Sequence, residues 1–468
     1  MAFMRGYNLV FIDSLQFLNS SLDKLVSNLP KEALKYTAEK FKGKKLDLMS
    51  KTGIYPYDIM DDYKKFDKTE FPTKEEFYSI LNDEHVTDEE YEHAKKVWKT
   101  FRLKNMSKYH DLYLTSDILL LAGVFENFQK TCLVYYKLDP AHYFTSPGLS
   151  WDTMLKMTYV KLELISDIDM FQFIEKGLRG GTSYITNRYG KASNKYMKDH
   201  NKNEPSKYII YLDANNLYGR AMSQYLPTGK FQWLTEKQIE KLDLGEYTDD
   251  SKTGLILEVD LGYPKELHDL HNDYPLAPEQ IKVTENMLSD YCKQIKDKFN
   301  ISIGQVRKLI PTLNNKQKYV LHHRNLQLYL GLGLKLTKIH RVLIFNQCPW
   351  LKEYIDFNTQ KRTNAKNSFE KDFFKLMNNS VFGKTKENIR KQVDVRLVTD
   401  EKQHVKLASK PNYVSSKIFN ENLAAVHKIK EALTLNRPAY VGMCILDLSK
   451  TLMYGFHYNY IKQKYRSH

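Results

Sequence analysis

The stretch Lys207–Ser223, KYIIYLDANNLYGRAMS, decides the reading of this chain. Ile209, Ile210 and Leu212 form an apolar, β-prone run that Ala-Asn-Asn breaks, and Leu217 to Ser223 is more tolerant of a helix. The pattern predicts a short buried strand that delivers the carboxylate of Asp213 to a turn. Carbonyls beyond a strand end are unpaired. A hard cation such as Mg²⁺ could therefore take carboxylate, carbonyl and phosphate oxygens together at that point. A strand-terminal Asp that caps its own turn is the plainer alternative.

A second segment lies far downstream, Lys371–Asn388, KDFFKLMNNSVFGKTKEN. Phe369, Phe373, Met377 and Val381 recur every four residues. Lys371, Lys375 and Asn379 do the same with an offset of two. At about 100° per residue, the two sets fall on opposite faces of one helix. A cationic stripe is usually only a solvated face. This one leads into Asn379, Ser380 and Gly383, which a solvated face does not require. Lys375 can meet a phosphate as a point charge, Phe382 offers a planar face, and Gly383 leaves room for close approach.

Together the two segments resemble family B DNA polymerases. DANNLYG is similar to the first palm motif D-x-x-S-L-Y-P, and KLMNNSVFG to the fingers motif K-x-x-x-N-S-x-Y-G, with Phe382 in place of Tyr. The resemblance implies that Asp213 is a catalytic metal ligand and that Tyr218 lies beneath the deoxyribose, where its ring collides with a 2′-hydroxyl. It further implies nucleotide contacts from Lys371, Lys375, Asn379 and Phe382; Lys361, Arg362 and Lys366, upstream of that helix face, are lesser candidates for further phosphate contacts. Ser380 and Gly383 are assigned to DNA.

Composition agrees with such partners. The 468 residues carry a net charge of +15, and 42% are hydrophobic, which suffices for two or three domains with cores. Residues 316–394 hold 16 Lys or Arg against 6 Asp or Glu, so most of the excess charge sits in under a fifth of the chain. That concentration suits a phosphate backbone. The 33 Tyr and 23 Phe include planar side chains available for stacking on unpaired bases. Cys132, Cys292, Cys348 and Cys444 have no paired spacing, which points to a reducing compartment and no zinc site. No apolar run reaches membrane length, so a membrane is not expected as a partner.

The fold class expected is α+β: a partial family B polymerase with a remnant exonuclease-like domain, a palm sheet, helical fingers and an insertion between palm and fingers. Residues 1–175 read as the remnant exonuclease-like domain, mostly helical to about residue 165, with helices expected from Ser21, over Asp88–Arg102 and over Ser116–Tyr136. Within them Tyr113 and Asp117 resemble the third exonuclease motif Y-x-x-x-D, and Asp13-Ser14-Leu15 resembles a strand-contacting segment of the same domain. A helix N-terminus capped by Ser116 or Asp117 is the alternative. The partner carboxylates D-x-E and N-x-x-F/Y-D have no match. Asn8–Asp13 only approximates the latter, so proofreading is not expected.

The remaining boundaries are 176–240 for a first palm segment, 241–350 for the insertion, 351–395 for the fingers, 396–436 for a second insertion and 437–468 for a second palm segment. Leu178-Arg179-Gly180-Gly181 resembles the template-contacting Y-x-G-G linker, which implies DNA contacts by Arg179, Gly180 and Gly181. Paired glycines equally make a plain turn. A long insertion ahead of the fingers is similar to that of protein-primed members, in viruses, linear plasmids and mobile elements. The partners implied are primer-template DNA, dNTPs and a priming terminal protein, with Mg²⁺ as cofactor.

The second palm aspartate of a two-metal site belongs to a Y-x-D-T-D-S hairpin, since two ions about 3.5–4 Å apart need two carboxylates. No such hairpin comes after the fingers. Asp167-Ile168-Asp169 and Tyr247–Ser251 read as loop residues. A helix is expected instead from Pro438, with Val441, Ile445, Leu448, Leu452 and Phe456 as its buried stripe. The expectation is a polymerase fragment that is inactive alone, or a nucleic-acid-binding relic without the chemistry.

Overall fold

The computed structural model describes residues 10–187 and 189–465, so Asn8 of the Asn8–Asp13 stretch lies outside the described residues. The chain divides into two compact units: residues 1–157 with 356–381, and residues 158–355 with 382–468. Helices and antiparallel strands segregate within it, as the α+β expectation requires.

The first unit is helical. Ser21 caps the Leu22–Ser27 helix, and a reciprocal capping box between Thr87 and Glu90 opens the Asp88–Thr100 helix. The long helix starts earlier than expected. It runs Met106–Tyr136 from an Asn105 cap, which places Tyr113 and Asp117 one turn apart in its middle rather than at its start. Asp13 caps a short turn by accepting from the Leu15 amide at 3.0 Å, which accounts for that motif locally. Phe128, Tyr136 and Leu149 pack with Phe369, Phe373, Phe374 and Met377 in one apolar core. Buried polar groups pair inside it: the Tyr136 hydroxyl donates to Asn358 at 2.6 Å, and the Asn358 amide donates to Asn378 at 2.9 Å. The expected fingers segment 351–395 is thus divided, its Asp356–Val381 part sharing a core with the N-terminal helices.

The second unit is built on an antiparallel sheet. Its strands are β1 (Leu226–Trp233), β2 (Thr253–Gly262), β5 (Lys316–His322) and β6 (Lys335–Cys348), in the order β1-β6-β2-β5. A hairpin of β3 (Glu279–Ile281) and β4 (Lys308–Ile310) and a three-stranded sheet of β7 (Val393–Val398), β8 (Tyr413–Asn420) and β9 (Leu423–Ile429) complete it. Strand β1 lies in the expected palm segment, yet its hydrogen-bonded neighbour is β6 from the expected insertion. Residues 241–350 are therefore not a separate body. Their strands supply the sheet, and its core (Leu255, Leu257, Tyr319, Tyr329, Val342) takes in Tyr454 and Tyr458 from the C-terminal region.

The helix expected from Pro438 runs Ala439–Phe456, but every residue from Ala439 to Lys450 is buried. A helix apolar on all sides is one enclosed on all sides. Phe456, expected in the stripe, is 42% exposed because it lies past the enclosed turns. Gly177 and Gly442 allow the close contacts: a Cβ at Gly177 would stand 2.5 Å from the Met443 methyl, and one at Gly442 2.9 Å from the Thr385 hydroxyl. No described helix is long and apolar enough to cross a membrane.

Candidate nucleotide and nucleic-acid interface

The predicted buried strand ahead of Asp213 is not observed. Residues 208–213 belong to no sheet, Tyr208, Ile209, Ile210 and Leu212 are 56–68% exposed, and Asp213 is exposed as well. A β-prone run is buried only when another strand pairs with it and a layer covers it. The described strands of the second unit pair among themselves, and the nearest bridge, Ser193 with Lys207, stops at the edge of the run.

The turn after Asp213 is built as its residues demand. Asn216 is left-handed (φ 55°) and precedes the helix Leu217–Met222. Gly219 suits this turn, because a Cβ on it would lie 2.2 Å from the Asn216 side-chain nitrogen and the Asn216 side chain would have to turn aside. This turn presents Tyr218, whose ring stacks on Phe382 with centroids 4.4 Å apart and planes 17° from parallel. Phe382 is 6% exposed, and the Lys386 ammonium sits 4.6 Å over its ring. Two motifs far apart in sequence thus meet ring to ring. The signal for Lys386 was its place one turn after Phe382.

The two-faced reading of the Ser368–Thr385 helix holds. Phe369, Phe373, Met377 and Val381 are buried, whereas Lys371, Lys375 and Asn379 are exposed along the opposite side. Ser380, expected at DNA, is 6% exposed and sits beside Val381 on the buried side, where helical geometry puts it. A cavity of about 460 Å³ in the first unit is lined by Lys375, Asn379, Asp372, Lys24 and Asn28. Lys361 is already occupied, its ammonium lying 5.1 Å over Tyr135 and 5.5 Å over Phe357. Arg362 is partly exposed on the Lys352–Thr363 helix. A Cβ at Gly383 would meet nothing within 4 Å, so this chain's own packing does not explain that glycine.

In the linker, Arg179 does not present a free guanidinium. It donates to the Val320 carbonyl at 2.6 Å and lies 3.8 Å over the Tyr319 ring. Gly180 and Gly181 are exposed, and a Cβ at either would meet nothing within 4 Å. Sequence reading missed the side chains beneath them, Asp447 and Lys450, because an Asp and a Lys on an apolar helix carry no motif.

At the exonuclease-like pair, the Tyr113 hydroxyl is 2.8 Å from that of Tyr57, and its ring stacks on Tyr55 at 5.0 Å. Burial pushes the Asp117 carboxyl upward in pKa, opposed by a hydrogen bond from Tyr113. One Asp117 oxygen is buried without a hydrogen-bond partner. Among the described residues no group of three or more His, Cys, Asp or Glu side chains is placed to hold a metal ion, at Asp117 or at Asp213.

Comparison with known proteins places the chain. Residues 1–463 match the profile of the family described as DNA polymerase type B, organellar and viral. A structure of Phi29 DNA polymerase in an orthorhombic crystal form is 14% identical, with a TM-score of 0.47 over 96% of this chain and 58% of that one. Another, of Phi29 DNA polymerase complexed with primer-template DNA and incoming nucleotide substrates, is 15% identical with a TM-score of 0.46 over the same shares. The chain therefore spans about 58% of the length of the solved polymerases it resembles. Comparison with curated protein sequences returns no match. On the strength of a family match that spans nearly all of its residues, this chain belongs to the organellar and viral type B DNA polymerases.

Proposed function

We propose that this chain carries the DNA- and nucleotide-binding part of a DNA-directed DNA polymerase, which adds dNTPs to a primer 3′ end. The observation that carries the reading is the Tyr218–Phe382 stack, which joins the palm and fingers motifs in one packed pair. In this reading Tyr218 excludes a 2′-hydroxyl, and Phe382, 6% exposed and covered by the Tyr218 ring and the Lys386 ammonium, backs Tyr218 rather than meeting the nascent base pair. Lys371, Lys375 and Asn379, exposed on one helix face, meet the triphosphate, with Arg362 as an outer contact. Gly180, Gly181 and Gly383, whose Cβ positions face open space, admit the DNA backbone. Arg179 and Lys361 hold the fold rather than the ligand, given their intramolecular partners. The partners are primer-template DNA and dNTPs, with a priming terminal protein as the protein partner of the protein-primed branch.

The described residues do not fit a two-metal site for Mg²⁺. Such a site needs two carboxylates on adjacent backbone segments, and among the described residues no group of three or more His, Cys, Asp or Glu side chains gathers at Asp213. In this reading Asp213 supplies one carboxylate of such a site, and the chain alone binds DNA without extending it.

The test uses recombinant chain and a fluorescent primer-template. Anisotropy should show binding whose logarithm falls linearly with log salt, at about −0.9 per phosphate contact neutralised. A dNTP-and-Mg²⁺ incubation should leave the primer unextended. Binding insensitive to salt refutes the reading. Extension abolished by Asp213→Ala refutes the inactivity and identifies a second carboxylate at work within this chain.

A further inference from the structure

The enclosed Ala439–Phe456 helix carries two charged side chains in its buried stretch, Asp447 at 2% and Lys450 at 8% exposure. They pair with each other at 3.3 Å. Each also reaches outside the helix. One Asp447 oxygen accepts from the His322 amide at 2.9 Å, at the end of β5. The Lys450 ammonium donates to the Arg179 carbonyl at 2.6 Å, in the linker.

Burial pulls the Lys450 pKa down, and the Asp447 carboxylate opposes that shift. A charge kept there is costly unless its hydrogen bonds are all made. The backbone carbonyl of Arg179 is one of those bonds, so the linker cannot lift away without stranding an ammonium. The Arg179 side chain fastens the same residue a second time, over Tyr319 and onto the Val320 carbonyl. Just beyond the fastening, Gly180 and Gly181 are exposed with open space around them. Gly181 and Lys450 also line a cavity of about 170 Å³ together with Leu217 and Tyr218.

We infer that Lys450 is a positioning residue: paired with Asp447, it pins the Arg179–Gly180–Gly181 linker to the buried helix and holds the two glycines in place for the single-stranded template. The inference rests on the polymerase reading for the identity of the strand. It assigns to Lys450 no contact with DNA.

The experiment has two arms on the purified chain. In the first, limited trypsinolysis is followed by mass spectrometry for cleavage after Arg179. Lys450→Met should speed that cut about tenfold, since local opening of the linker no longer strands a charge. In the second, anisotropy compares primer-template carrying a 5′ single-stranded overhang with blunt duplex. Lys450→Met should lower overhang affinity about fivefold, or about 1 kcal/mol, and leave duplex affinity unchanged.

Ile445→Val, fully buried on the same helix, is the control for a merely structural loss, and should move neither readout. Asp447→Asn keeps an acceptor for His322 and removes the charge, so it replaces Lys450→Met if that variant does not fold. Unchanged trypsin cleavage, or an unchanged overhang preference while wild-type binding is intact, overturns the pin. A wild-type chain that binds no DNA refutes the polymerase reading and the template role together. The trypsin arm then still reports on the fastening.

Discussion

The stack between Tyr218 and Phe382 has a measurable worth. Replacing Phe382 with Leu keeps most of the buried volume and removes the ring that Tyr218 stacks on at 4.4 Å and that Lys386 covers at 4.6 Å. An offset-stacked pair contributes about 0.5–1.5 kcal/mol beyond its area, and a partly exposed cation over a ring about 0.5–1 kcal/mol. Phe382→Leu should therefore destabilise by about 1–2 kcal/mol, and Tyr218→Leu, which leaves the cation in place, by about 1 kcal/mol. In the double variant the stack is lost only once, so the sum of the single effects should exceed the double by about 1 kcal/mol. Urea unfolding followed by far-UV circular dichroism gives the three values from one transition. A coupling within about 0.3 kcal/mol of zero refutes the claim that the two motifs are joined through these rings. Tyr218→Phe retains the ring and should match wild type.

Acid should weaken the second unit. Burial holds the imidazoles of His271 and His323 down at about 4, from an ordinary 6.5. Between those values the unfolded chain binds more protons, so stability is complete above pH 6.5 and is lost as pH falls toward 4, by up to about 3 kcal/mol per group. Unfolding midpoints measured across that range check the slope, and His271→Gln should flatten it. Lys375→Ala, on the exposed helix face, should change stability by under about 0.5 kcal/mol yet reduce the salt slope of DNA binding by about 1. Gly219→Ala forces a Cβ against Asn216 and should cost about 1–3 kcal/mol, read by the same urea titration.

Local pattern was a sound guide wherever a residue's surroundings are its near neighbours in sequence. The four-residue spacing of Phe369, Phe373, Met377 and Val381 against Lys371, Lys375 and Asn379 was enough to orient one helix, because helical geometry repeats without reference to the rest of the chain. The Ala-Asn-Asn break and the short helix after it were legible for the same reason, as were the caps at Ser21 and Thr87. Family membership was legible too, since it rests on the order and spacing of motifs.

Tertiary structure decided what depends on partners distant in sequence. Ile209, Ile210 and Leu212 have the composition of a buried strand, and they stay exposed because burial belongs to pairing. Arg179, a cation in a DNA-contacting motif, is turned onto Tyr319 and Val320 by a strand that begins more than a hundred residues later. Asp447 and Lys450 interrupt an apolar helix for no reason visible along the chain, and the reason is the linker and strand packed against them. Family, helix faces and the turn that presents Tyr218 could all be read along the chain. Which rings meet and which charges are already committed come from contacts between residues far apart in the chain, whose energies no local period encodes.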